Sequence, residues 1–122
     1  MPVQQALAEL RHLLGERLSL SKADLDAHGR SESHFRTTPP DGVVFPETSV
    51  EAQDIVRICA THNVPVIGWG AGTSLEGHAL AIRGGICVDF SRMNKILEIR
   101  SADMDVTVQP GVTREALNEE LR

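Results

Sequence analysis

Val64-Pro65-Val66-Ile67-Gly68-Trp69-Gly70-Ala71-Gly72-Thr73-Ser74 carries a short apolar segment straight into a run of alternating glycines. Val64 to Ile67 reads as a strand, set off by Pro65 from a helix that ends at Asn63. The glycines that follow leave successive backbone N–H groups with few side chains in the way, and they tolerate φ > 0 and close approach. Several N–H groups can therefore converge on one anion. Thr73 and Ser74 add hydroxyl donors. A diphosphate is the natural occupant, because neutral N–H groups can hold its charge without a lysine. The plainer reading is a tight turn between two strands. Gly68, Gly70 and Gly72, then Thr-Ser, then Gly77 are more than a turn requires.

Two other phosphate motifs fit less well. A Rossmann site needs G-x-G-x-x-G opening a helix, with an acid about 20 residues on at the end of the next strand. Asp89 suits the acid, but Leu75 stands where the third glycine belongs, and Gly77, Gly84 and Gly85 interrupt any crossover helix. A Walker A loop needs Gly-Lys-Ser/Thr, which the chain lacks.

Working outward, Val43-Val44-Phe45 is a short apolar strand closed by Pro46. Thr48 opens a helix, with Glu51 three residues on as a capping box. Ala52, Ile55, Val56, Cys59 and Ala60 form its apolar face, and Asn63 suits its C-terminus. The two strands around this helix form a β-α-β unit and should be parallel. Beyond the glycines, Ile86-Cys87-Val88 reads as a buried strand. Ile96 to Ile99 and Val106 to Val108 flank Ser101-Ala102-Asp103 and predict an antiparallel hairpin. Thr113 caps a last helix whose face is Leu117 and Leu121.

Upstream, Val3, Ala6, Leu7, Leu10, Leu13 and Leu14 have helical spacing, with Gly15 as a stop. Ser21 reads as the N-cap of a short helix that contains Asp24 and Leu25 and ends near Gly29. Residues 30–42 are polar and include Pro39-Pro40-Asp41-Gly42, the composition of a surface loop. The expected architecture is α+β: an N-terminal helical segment and loop over 1–37, then a small β-α-β sheet with flanking helices and a hairpin over 38–122. The apolar stripe of the last helix runs to Arg122, so the chain reads as a fragment.

The net charge of −5, with scattered Lys and Arg, argues against general nucleic-acid binding. No apolar run approaches the roughly 18 residues of a membrane span, and Met1-Pro2-Val3-Gln4-Gln5 does not resemble a signal peptide. Cys59 and Cys87 both lie in apolar segments and read as buried, reduced thiols. The expected setting is the cytoplasm, or the periphery of a membrane, with no transmembrane segment. The five histidines lack metal spacing, so no metal is expected; surface or loop positions are the default for His12, His28, His34 and His62.

Pro65 to His78 resembles the pyrophosphate loop of FAD-linked oxidases of the vanillyl-alcohol oxidase and p-cresol methylhydroxylase type (PCMH type). Pro40 to Pro46, Gly84 to Asn94 and Val108 to Val112 are similar as well, so the resemblance covers about residues 21–122. Within the family, Leu75-Glu76-Gly77-His78 and His28-Gly29-Arg30 are nearest to FAD-linked D-lactate dehydrogenases and the glycolate oxidase D subunit. The resemblance implies the first subdomain of a PCMH-type FAD-binding domain. It implies that Trp69, Gly70, Ala71, Gly72, Thr73 and Ser74 cradle the pyrophosphate, with Gly77 and His78 beneath it and Pro110-Gly111 near the adenosine end. Relatives with covalent flavin carry a histidine where Thr73 stands, so noncovalent FAD is implied. Ser31 departs from the family's aspartate, which leaves that loop without an assigned role.

The implied full-length activity is oxidation of a D-2-hydroxy acid, D-lactate first, to the 2-oxo acid, with electrons passed to a quinone, cytochrome or similar acceptor. No catalytic base is expected among these residues, because in the family the flavin-ring and substrate contacts lie further along the chain. The other reading is a non-catalytic nucleotide-binding or structural module, inactive by itself. Trp69 can either stack on adenine or fill a small core, and Glu76 should point away from a diphosphate, toward Arg83 or His78.

Overall fold

In the computed structural model, residues 2–29, 39–70 and 84–122 are described. α1 (Pro2–Leu14) leads through a 3-10 turn (Gly15–Arg17) to β1 (Leu18–Ser19) and α2 (Lys22–Ala27). β2 (Gly42–Val44), α3 (Ser49–Thr61), β3 (Val66–Trp69) and β4 (Ile86–Asp89) follow. β5 (Ile96–Arg100), β6 (Asp105–Val108) and α4 (Arg114–Glu120) complete the order. The mixture is α+β, as the sequence implies.

Local side chains start three of the helices. Ser21, Thr48 and Thr113 each accept a hydrogen bond from the backbone N–H three residues on, relieving donors that have no partner within the first turn. At the end of α3, Asn63 has φ +55°, Asn63 N–H donates to the Ala60 carbonyl and Val64 N–H to that of Cys59. This is a Schellman closure with asparagine in the left-handed position.

The main sheet has the order β1-β2-β4-β3, with β2, β4 and β3 parallel and β1 antiparallel at the edge. β2 and β3 are thus parallel, as a β-α-β unit requires, but they are not neighbours. β4 lies between them, pairing Val43 with Cys87 on one side and Ile67 with Cys87 on the other. Its four residues are all buried, which is why Ile86-Cys87-Val88 is continuously apolar. β3 begins two residues later than the sequence suggests and includes Gly68 and Trp69, because its ladder with β4 runs on to Trp69 opposite Asp89. The short β1, which pairs Leu18 with Val44, carries no sequence signal of its own.

Gly85 shows why glycine stands at the entry to β4. Its φ is +106°, and a Cβ there would lie 2.4 Å from the Pro65 carbonyl oxygen. The Asp41 carboxylate accepts from Gly85 N–H at 2.7 Å, while Asp41 N–H donates to the Gly85 carbonyl at 2.8 Å. The two strand entries are thereby pinned together.

The core gathers Ala6, Leu10 and Leu14 of α1, Ile55 and Cys59 of α3, and Val44, Ile86 and Val88 of the sheet. Val56 and Ala60 are exposed, unlike Ile55 and Cys59. Each follows its buried neighbour by one residue, and one residue turns about 100° around a helix, off the buried stripe. Cys59 and Cys87 are free and buried. Desolvation pushes the Cys59 thiol up to about 11. The same burial, with the Asp89 charge as a smaller cause, pushes Cys87 up to about 12.

β5 and β6 form the expected antiparallel hairpin as a separate two-stranded sheet, with a register irregularity between Ile96 and Glu98. Ile99, Met104 and Val106 of the hairpin line an apolar groove with Leu117 and Leu121. No helix among the described residues is long and apolar enough to cross a membrane.

Candidate cofactor site

Parallel β3 and β4 end side by side, and the glycine-rich stretch leaves from the end of β3. Phe90 N–H donates to the Trp69 carbonyl at 3.0 Å, which extends the ladder by one step. The chain then turns, with Met93 N–H on the Phe90 carbonyl at 2.9 Å. The segment after β6 comes back to this turn, and Gly111 N–H donates to the Met93 carbonyl at 2.8 Å. A Cβ on Gly111 would lie 2.1 Å from the Phe90 carbonyl oxygen, so only glycine permits the approach.

The result is a cleft of about 430 Å³ lined by Gly70, Ser91, Pro110, Gly111, Val112, Thr113 and Arg114. Residues 41 positions apart in sequence, Gly70 and Gly111, thus face one space, at the carboxyl ends of parallel strands, where α/β sheets commonly bind ligands. The volume is in the ordinary range for small-molecule sites. Among the described residues no carboxylate lines the cleft, and Arg114 supplies a cation. A Cβ built on Gly70 meets nothing within 4 Å among the described residues, so on that side the missing side chain leaves the wall open to a ligand. These features fit a dinucleotide phosphate: open backbone at Gly70, hydroxyls at Ser91 and Thr113, and one guanidinium. Gly111 N–H and Ser91 N–H are already engaged, by the Met93 carbonyl and Asp89 Oδ1 at 2.8 Å each. Pro110-Gly111 therefore shapes the cleft rather than donating N–H groups to it.

Of the residues singled out by sequence, Gly70, Pro110 and Gly111 line the cleft together. Trp69, which directly precedes Gly70, is not among the lining residues, and its indole packs on the His28 imidazole at 4.8 Å between ring centroids. Ala71, Gly72, Thr73, Ser74, Gly77 and His78 lie outside the described residues, as do Ser31, Glu76 and Arg83.

His28 is the residue that sequence reasoning misplaced. It is 8% exposed, not a surface histidine. Its Nε2 lies 2.7 Å from Asp89 Oδ2 and its Nδ1 2.8 Å from the Asp24 carbonyl. The partner is 61 residues away in the chain, so no local pattern announces it. Ser91, Val112, Thr113 and Arg114 were also missed as cleft residues, and the only signal for them is adjacency to motifs already recognised. Among the described residues, no cluster of His, Cys, Asp or Glu could hold a metal ion.

Comparison with known proteins defines the class. Residues 40–122 match the family described as FAD binding domain, and the chain belongs to that family. It is 40% identical over 121 residues to a protein of Danio rerio named probable D-lactate dehydrogenase, mitochondrial, covering 98% of this chain and 24% of that protein. It is 34% identical over 112 residues to the D-2-hydroxyglutarate dehydrogenase of Stutzerimonas stutzeri, covering 91% of this chain and 24% of that one. Among solved structures, p-cresol methylhydroxylase with substrate bound superposes with a TM-score of 0.87 at 25% identity, over 98% of this chain and 24% of that one. The fold is therefore that of the PCMH-type FAD-binding domain, and the chain spans about a quarter of the length of these relatives.

Proposed function

We propose that this chain supplies the first part of the FAD site in a dehydrogenase that oxidises a D-2-hydroxy acid, D-lactate before others, to the 2-oxo acid. The observation that carries the reading is the cleft shared by Gly70 and Gly111 at the carboxyl ends of β3 and β4, open on the glycine side and, among the described residues, free of lining carboxylates. Gly70 with the following glycines, Thr73 and Ser74 would hold the pyrophosphate, and Pro110-Gly111 would border the adenosine end. Bound flavin would supply the two-electron redox chemistry, accepting a hydride equivalent from the substrate carbon and passing electrons on to a quinone or cytochrome. The residues described here bind and orient.

The FAD is proposed to be held without a covalent bond, because threonine at position 73 has no ring nitrogen with which to attach it. The substrate assignment rests on relatives named for D-lactate and D-2-hydroxyglutarate. A thiol-reducing compartment suits the two buried free cysteines, and the cytoplasm is the proposed location.

The test is purification of the full-length protein, its visible spectrum, and dye reduction with D-lactate, L-lactate and D-2-hydroxyglutarate. The expected result is a flavin band, with the D-acids but not L-lactate reducing the dye. Colourless protein overturns the cofactor reading, and faster turnover of D-2-hydroxyglutarate overturns D-lactate. Acid precipitation should release all the flavin to the supernatant; a yellow pellet overturns noncovalent binding.

A further inference from the structure

We infer that His28 is a positioning residue for the cofactor site, fixing Trp69 and with it the point at which the glycine-rich stretch leaves β3. This rests on the FAD reading above and adds to it a residue outside the matched segment, which begins at residue 40.

The geometry assigns the protons. The Asp24 carbonyl can only accept, so His28 Nδ1 must carry a hydrogen. Nε2 faces the Asp89 carboxyl group, so a single proton lies between Nε2 and Oδ2. Asp89 Oδ1 accepts from Ser91 N–H at 2.8 Å, so the carboxyl group is held at both of its oxygens. Among the described residues, the charged groups near the ring and its packing partner are Asp24 on α2, Asp89 on β4 and Arg92, whose guanidinium lies 5.0 Å from the Phe45 ring centroid. Phe45 in turn meets the imidazole edge-on at 6.0 Å. Both ring nitrogens are satisfied and the ring meets both Phe45 and Trp69, so the imidazole has little freedom to move.

That fixed ring is the platform for Trp69. The indole lies 4.8 Å from it, tilted by 50°. Asp89, which holds His28, is the ladder partner of Trp69. The tryptophan is thus fixed twice, by backbone through Asp89 and by side chain through His28, immediately before Gly70 enters the cleft. Loss of the His28 contacts removes the side-chain support of Trp69, the residue from which the chain passes into the cleft at Gly70.

Four variants of the full-length protein test this: His28→Phe, Asp89→Ala, Asp89→Asn and, to assign the indole N–H resonance, Trp69→Phe. FAD affinity is measured well below the melting temperature, and the Trp69 indole is followed by NMR. His28→Phe and Asp89→Ala are expected to weaken FAD at least tenfold and to shift the indole resonance. Asp89→Asn should recover most of the loss, because its amide can donate to a neutral Nε2 and its oxygen can still accept from Ser91 N–H. A folded His28→Phe with wild-type affinity overturns the inference. So does a lowered melting temperature with unchanged affinity, which is what a merely structural role would give. If His28→Phe does not fold, the Asp89 pair decides: equal affinities for Asp89→Ala and the wild type overturn it. Wild-type protein that binds no FAD overturns the cofactor reading instead, and an indole resonance unmoved in His28→Phe then overturns the positioning of Trp69 independently.

Discussion

Arg17 and Glu51 meet as a two-pronged pair, Nη1 2.6 Å from Oε1 and Nη2 on Oε2, joining the turn after α1 to the first turn of α3. Glu51 also accepts from Glu47 N–H at 2.9 Å. The sequence marks Glu51 as the partner of a cap, and it serves the long-range pair as well. The Arg17 hydrogen bonds, foremost, pull the Glu51 carboxyl down to about 2 from an ordinary 4.5. A carboxyl depressed in the folded state contributes stability that is present above its unfolded pKa and lost as pH falls through the folded one. The pair should therefore help fully above about pH 4.5 and fade toward pH 2. Glu51→Gln should cost about 1 kcal/mol at pH 7 and nearly nothing at the acid end, since the pair is partly solvent-screened. Urea denaturation of the variant and wild type at both pH values checks this.

The two thiols give the opposite pH dependence. Cys59 and Cys87 are pushed up to about 11 and about 12 by burial, so the unfolded chain ionises them first. Their contribution is complete below the ordinary thiol range and is lost as pH rises through the folded values. Both should resist a thiol reagent at pH 8 for as long as the protein stays folded and react at once in denaturant. Rapid labelling of either under native conditions would show that the core around α3 and β4 is open.

Gly111→Ala should be costly although only a methyl is added. Its Cβ would lie 2.1 Å from the Phe90 carbonyl oxygen and 2.8 Å from that of Met93, both backbone atoms. Backbone cannot turn aside as a side chain does, so the segment after β6 must move away from the turn after β4. Overpacking of this kind costs about 1–3 kcal/mol. The loss should appear as a lowered urea midpoint, and FAD retention should fall with it because the cleft loses one wall.

How much was legible in the sequence follows from how local each cause is. The caps at Ser21, Thr48 and Thr113 and the asparagine closure at Asn63 depend on neighbours within a few residues, and all were readable. The insertion of β4 between β2 and β3 was not, because parallel pairing joins segments separated by whole elements. His28 failed for the same reason: its partners Phe45, Trp69 and Asp89 are all distant in the chain. At the site, the glycine-rich stretch suggests an anion from its own chemistry, whereas Pro110-Gly111 was expected there only by resemblance. The structure supplies the physical link, a hydrogen bond from Gly111 to the turn that follows β4.

Gly70→Val separates fold from function most cleanly. A Cβ at this position meets nothing within 4 Å among the described residues, in contrast to Gly111, and its φ lies outside the left-handed range that disfavours side chains. Valine should therefore leave the melting temperature within about a degree or two, the change expected for ~0.5 kcal/mol or less at an unconstrained surface site. The same branched side chain would stand in the cleft lined by Ser91 and Thr113, where a phosphate would need close approach to the backbone. Loss of one charge-assisted hydrogen bond costs about 1.5–3 kcal/mol, or roughly one to two powers of ten in affinity. Met104→Ala, at a residue 92% exposed on the hairpin turn, serves as the distant control and should bind as the wild type does. Flavin retained after exhaustive dialysis of the full-length proteins is the measurement. A Gly70→Val protein that melts normally and keeps its flavin would place the pyrophosphate elsewhere than beside Gly70.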